Sequence, residues 1–211
     1  MKPLIVVNLK TYQQGADVLK LCKKIEAVDK NIVVGVGALD VYRVSKETKL
    51  KVYCQHVDGF ELGRNTGFIL PEGVKKNDGV GVFLNHSEHP LSLDVLKKTV
   101  SRCKKLKLKT MVFAKGLIEA KIIEKLGVDY ICIEPAELVA GKISVSEAKP
   151  DLIEKIGKSL KCKFLVGAGI HSSEDVKIAM RFGAVGVALS SAVTKAKNPD
   201  KVLRGLIGKN A

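Results

Sequence analysis

Tryptophan is absent from this chain, aromatic residues make up only 5% of it, and its five cysteines include no C-x-x-C pair. Scarce aromatics leave few stacking platforms for single-stranded nucleic acid. The odd cysteine count, at Cys22, Cys54, Cys103, Cys132 and Cys162, argues against a disulfide framework and against a zinc site; small buried side chains are the favoured reading. No Pro/Ser-rich linker, charge block or shift in composition divides the 211 residues, so one domain spanning 1–211 is expected. Leu4 to Val7, after Met1-Lys2-Pro3, is too short an apolar run for a signal peptide, and nothing else approaches a membrane span. A soluble, cytoplasmic protein without a membrane partner is expected. Acidic residues are also in short supply, with 22 Asp+Glu against 36 Lys+Arg and a formal net charge of +14. Such a surplus steers anionic metabolites or marks nucleic-acid binding. Many of the lysines fall on expected helix faces, as Lys20, Lys23, Lys24 and Lys97, Lys98, Lys104, Lys105 do, so a solvated basic surface is favoured and no nucleic-acid partner is expected.

What the chain does contain is an alternation of two periods. Short β-branched runs lie at Leu4 to Val7, Ile32 to Val36, Lys51 to Cys54, Val80 to Leu84, Lys109 to Phe113, Tyr130 to Ile133, Lys163 to Val166 and Gly186 to Leu189. Amphipathic stretches separate them at Ala16 to Val28, Ser92 to Leu106, Leu117 to Leu126, Pro150 to Leu160, Ser173 to Phe182 and Asp200 to Ile207, with shorter helical turns at Asp40 to Ser45 and Pro71 to Lys76. Parallel strands need such crossovers. Eight of them suit a closed (β/α)8 barrel, here with short helices and loops. An open doubly wound sheet is the competing topology, but its first strand usually leads into Gly-x-Gly-x-x-Gly. Asn8-Leu9-Lys10-Thr11-Tyr12 stands there instead.

Three residue sets sit where expected strands end: Asn8 with Lys10, the run Asn85-His86-Ser87-Glu88, and Glu134-Pro135. In a barrel these ends share one rim. A carboxylate, a histidine and a fixed cation together suffice to move a proton beside a carbonyl. Each alone reads as well as a surface lysine, a packed histidine or a loop carboxylate, and only their common location favours an enzyme.

These sets, with Glu134-Pro135-Ala136-Glu137-Leu138, Val166-Gly167-Ala168-Gly169-Ile170 and Gly186-Val187-Ala188-Leu189-Ser190-Ser191, resemble the triose-phosphate isomerase family of TIM barrels in its short archaeal form. The resemblance implies interconversion of dihydroxyacetone phosphate and D-glyceraldehyde 3-phosphate in glycolysis and gluconeogenesis, with no cofactor and no metal. It implies Glu134 as the base, His86 as the neutral electrophile facing the enediolate oxygens, and Lys10 as fixed positive charge, with Asn8 orienting ligand oxygens. The glutamate base with a neutral histidine is that family's own well-known pairing. Ser87 and Glu88 are expected to open a helix whose amino end disfavours a charged ring. For the phosphate, Gly169 and Ser190-Ser191, the latter ahead of a short helix at Ala192 to Lys195, offer backbone donors.

The sequence departs from the family in two places. The lid carries Val139-Ala140-Gly141-Lys142 where Ile-Gly-Thr-Gly is common, so Ala140 and Gly141 supply its amide and its flexible position. His89-Pro90 follows Glu88 where arginine is frequent. Gln55-His56-Val57 with Thr66-Gly67 resembles the family's third loop, which enters a neighbouring subunit, implying a homodimer or homotetramer. Another phosphosugar-binding barrel, or a non-catalytic phosphate- or nucleic-acid-binding relative, is the alternative.

Overall fold

The structure, a computed structural model, describes residues 2–135, 150–167 and 170–208. Eight parallel strands close into a barrel in sequence order: β1 Leu4–Asn8, β2 Val33–Val36, β3 Lys51–Cys54, β4 Gly81–Leu84, β5 Lys109–Ala114, β6 Tyr130–Ile133, β7 Phe164–Gly167 and β8 Gly186–Leu189. Closure rests on β1 pairing with both β2 and β8, for instance Val6 with Val33 and with Ala188. Every strand lies within one residue of its expected position. The reason is that parallel strands covered on both faces read as near-continuous β-branched runs, and these strands are buried almost throughout.

The helices among the described residues are α1 Ala16–Val28, α2 Val41–Glu47 after a 3-10 turn at Ala38–Asp40, α3 Pro71–Lys76, α4 Leu93–Lys105, α5 Leu117–Glu124, α6 Pro150–Ser159, α7 Ser173–Arg181, α8 Ser191–Thr194 and α9 Pro199–Leu206. They shield the barrel with one apolar stripe each; in α1 this is Val18, Leu21, Cys22, Ile25 and Val28. Ser172 starts α7 with a reciprocal capping box to Asp175, which satisfies two amides that a helix end otherwise orphans. Among the described residues no helix is long and apolar enough to cross a membrane. Cys22, Cys54, Cys103 and Cys132 are buried free thiols, while Cys162 is half-buried.

The barrel interior is a separate layer of Val6, Val33, Tyr53, Phe83, Met111, Phe113, Cys132, Leu165 and Ala188. Large rings fit there because glycines face them. A Cβ on Gly35 would lie 2.0 Å from the Phe83 ring, and one on Gly81 would lie 2.5 Å from the Tyr53 ring. Gly35→Ala is therefore expected to destabilise the fold by about 3 kcal/mol, the upper end of the usual overpacking cost. At this chain length that lowers Tm by roughly 6–12 °C, readable by calorimetry. A Tm within a degree of the parent would show that Phe83 has room to yield.

Candidate active site

Strand alternation sends every second side chain into the barrel, so rows that begin inside continue upward to the rim. Two residues beyond the interior Val6, Tyr53, Cys132 and Ala188 stand Asn8, Gln55, Glu134 and Ser190. The carboxyl rim thus receives an amide, a second amide, a carboxylate and a hydroxyl from four strands. Glu134 is fixed by its backbone N–H, which donates to Ala114 O at 2.9 Å. Its carboxylate lies over Gly167, where an added Cβ would sit 3.4 Å from Oε1.

His86 breaks the alternation. Counting from Phe83, the inward position belongs to Asn85, but Asn85 adopts a left-handed backbone with φ 57°, which short polar side chains tolerate. Asn85 turns away to donate from Nδ2 to Phe113 O and Glu119 Oε1, each at 3.0 Å, and its Oδ1 accepts from Leu91 N at 2.9 Å. His86 takes the inward place with its ring edge-on to Phe113, the centroids 4.7 Å apart. Lys10 repeats the device on β1, with φ 49°, while its N–H donates to Asn8 Oδ1 at 3.0 Å. A non-glycine residue held in this region costs of order 1–3 kcal/mol and persists only where the surroundings fix it.

Ser87 and Glu88 do not open a helix, contrary to expectation. They form a turn closed by His89 N donating to His86 O at 2.8 Å, and α4 begins only at Leu93 under a Ser92 cap. Pro90 is the cause, because a residue that precedes proline is pushed out of the helical region. The turn settles the His86 tautomer in a different way. Glu88 N–H donates to His86 Nδ1 at 3.1 Å, so Nδ1 keeps its lone pair and the ring proton sits on Nε2.

Nε2 faces Glu134. The two atoms His86 Nε2 and Glu134 Oε2 are 3.1 Å apart but out of line for a hydrogen bond, and both are buried without a partner among the described residues. Buried polar atoms left unsatisfied in this way cost stability, and a small ligand lying against both would satisfy them. Below them, burial and then the Glu134 charge push the Cys132 thiol well above its usual range, which keeps it protonated and inert.

Lys10 Nζ pairs with Glu88 Oε1 at 2.7 Å, and the other oxygen of Glu88 lies 3.6 Å from His86 Nδ1. Asn8, Lys10, Gln55, His86 and Glu88 line one cavity of about 240 Å³. Asn8, Lys10 and His86 thereby share one cavity, and Glu134, which is not in its lining, meets the group through His86 Nε2. On the β8 side, Gln13 Nε2 donates to Thr194 O at 2.7 Å and the Lys195 ammonium sits 4.5 Å above the Tyr12 ring, so the Ser190–Ser191 segment adjoins the Lys10 loop. Ser191 is the first residue of α8, one residue earlier than expected, and Ser190 stands at the N-cap position with a buried Oγ that makes no capping bond. Ala140, Gly141, Lys142 and Gly169 lie outside the described residues.

Sequence reasoning placed Gln55 only in the third loop and Glu88 only at a helix start, and gave neither a contact with Lys10. Gln55 Nε2 is within hydrogen-bonding distance of Asn8 Oδ1 (3.2 Å), Lys10 O (3.0 Å) and Gly35 O (3.0 Å), which makes it the clamp on the strained Lys10 backbone. Its inward parity after Tyr53 was the available signal.

Comparison with known proteins gives a consistent result. The family model described as triosephosphate isomerase matches residues 3–206. A triosephosphate isomerase of Methanocaldococcus jannaschii is 37% identical over 97% of this chain and 98% of its own, and one of Saccharolobus solfataricus is 40% identical over 97% and 95%. A crystal structure of triosephosphate isomerase from Bartonella henselae superposes with a TM-score of 0.76 over 100% of both chains at 16% identity, a likeness of fold.

Proposed function

The chain belongs to the triosephosphate isomerase family, and on that premise we propose which of its side chains perform the work. The reaction interconverts dihydroxyacetone phosphate and D-glyceraldehyde 3-phosphate. Glu134 removes a proton from the carbon beside the carbonyl, and the electron pair of the broken C–H bond forms the enediolate. His86 donates from Nε2 to the carbonyl oxygen and exchanges that proton between the two oxygens. The Glu134 carboxylic acid exchanges its proton with solvent while the enediolate lasts, and then delivers a proton to the neighbouring carbon. Lys10 offsets the charge of the enediolate and phosphate, and Asn8 orients Lys10 and the ligand oxygens.

The observation that carries this assignment is the pair of buried, unpartnered atoms His86 Nε2 and Glu134 Oε2, 3.1 Å apart. A donor and a base set side by side suit a substrate whose carbon and oxygen react together. Phosphate contacts are assigned to Ser190, Ser191 and Gly169, with Ala140 and Gly141 in the lid; the buried free Oγ of Ser190 supports the first. No metal or cofactor takes part in any of these steps. A coupled assay for triose-phosphate interconversion, with a phosphoglycolate-type inhibitor as control, tests the reading. Inhibitable turnover in both directions is expected, and its absence from folded protein would refute it.

We also read residues 1–211 as one domain, supported by the β1–β8 closure, and the location as cytoplasmic, supported by five free cysteines. The partner is a second copy of the chain, in a homodimer or homotetramer. Phe60, Leu62 and Phe68 on the third loop, Leu39 in the 3-10 turn and Tyr42 in α2 are exposed apolar side chains, Leu39 at 95%. Phe60 and Phe68 meet edge to face at 4.6 Å, and an exposed apolar cluster of this kind is usually covered. Sedimentation is expected to give two or four chain masses, and a monomer at micromolar concentration would contradict it.

A further inference from the structure

His89 is exposed, yet its ring is stacked on that of His56, with centroids 4.0 Å apart and planes 18° from parallel. The two imidazoles belong to different loops. His56 follows β3 and is held on both sides: its Nε2 lies 3.2 Å from Asp58 Oδ1, and its carbonyl accepts from Cys54 Sγ at 3.0 Å. Asp58 in turn closes the base of the third loop, its N–H donating to Ile69 O at 2.7 Å while its Oδ2 accepts from Ile69 N at 2.8 Å. His56 is therefore a fixed platform.

His89 closes the turn that begins at His86. Within that turn Glu88 presents its amide to His86 Nδ1 and its carboxylate to Lys10. The Glu88 side chain is 58% exposed, so solvent competes for it and the turn's position depends on its ends. The backbone just beyond His89 is anchored by Leu91 N donating to the Asn85 side chain, with Leu91 packed on the core. The His89 ring itself is held by the stack on His56, which ties the middle of the turn to the third loop.

We propose that His89 is a positioning residue for the isomerisation: stacked on His56, it fixes the turn whose Glu88 amide selects the His86 tautomer and whose Glu88 carboxylate orients Lys10. This rests on the site reading above. If the stack is lost, Glu88 N–H drifts from Nδ1, the ring proton is shared between the two nitrogens, and the donor aimed at the enediolate is present for only part of the time. Misplacement by a fraction of an ångström costs on the order of 10-fold in rate.

The test uses the full-length protein with His89→Ala and His89→Phe, reading kcat and KM together with the ¹⁵N signals of the His86 ring. His89→Ala is expected to lower kcat by about 10-fold with KM changed less than about 3-fold, the pattern of an interaction felt in the transition state. Its His86 nitrogens are expected to move from one tautomer toward an average. His89→Phe, which keeps a flat ring on His56, is expected to restore both readouts to within about 2-fold of the parent rate. The inference is overturned if His89→Ala leaves the ¹⁵N signals as in the parent, whatever its rate, or if His89→Phe is as impaired as His89→Ala. An inactive parent would instead refute the site reading, and the ¹⁵N comparison would still decide whether the stack governs His86.

Discussion

Replacing Glu134 with aspartate is expected to lower kcat by about 100-fold while KM and Tm stay close to the parent values. One methylene fewer draws the carboxylate back by about 1 Å from the carbon it is proposed to deprotonate, and a base that has left hydrogen-bonding range of its proton works poorly. Little else changes. The Glu134 side chain is 11% exposed and its Oε2 has no partner among the described residues, so the shorter residue gives up no bond at that oxygen. The strand end is held by Glu134 N donating to Ala114 O, which any residue supplies. Glu134→Gln removes the base altogether, and a loss on the order of 10³-fold or more is expected, within the range for a single acid-base group. Parallel losses in kcat and stability in these variants would make Glu134 a structural residue.

Lys10→Met is expected to reduce kcat/KM by about 10²–10³-fold, the scale on which fixed charge and oriented donors act in water-poor sites. The fold should barely notice. The Lys10–Glu88 pair is exposed at its glutamate end, and such pairs contribute about 0–1 kcal/mol to stability. The methylene stem of Met keeps the packing of Lys10, and the left-handed backbone stays clamped by Gln55 and Asn8. Lys10→Arg is not expected to rescue, because a planar fork cannot occupy the place of a compact ammonium at 12% exposure. The loss should fall on both kcat and KM, since the substrate phosphate and the enediolate both feel the cation. A Tm drop with unaltered kinetics would assign Lys10 to the scaffold.

The barrel was legible because its physics is local. A strand buried on both faces has little choice but a β-branched run, and eight such runs separated by amphipathic stretches leave few topologies. Asn8, Glu134 and Ser190 were legible for a related reason, since they continue inward rows by simple alternation. His86 was placed at the rim by the end of its strand, and its role came from the resemblance. Its direction depends on the left-handed turn at Asn85, which no periodicity encodes, and simple alternation from Phe83 would have pointed the wrong residue inward. The helix expected at Ser87 and Glu88 failed for want of weight on Pro90, whose ring excludes the helical conformation from His89. The role of Gln55 was missed because it lies in three acceptors brought from β1 and β2, contacts that exist only once the barrel closes. His89 stood out as a departure from the family, but its stacking on His56 is a tertiary fact.

The most direct measurement of the central claim is isomerisation of dihydroxyacetone phosphate in deuterium oxide, followed by proton NMR of the glyceraldehyde 3-phosphate formed. Proton removal by Glu134 into an enediolate predicts deuterium at the carbon beside the aldehyde in the parent, and none above background with Glu134→Gln because turnover itself collapses. Product from the parent wholly free of solvent deuterium, or turnover by Glu134→Gln at the parent rate, would contradict the account.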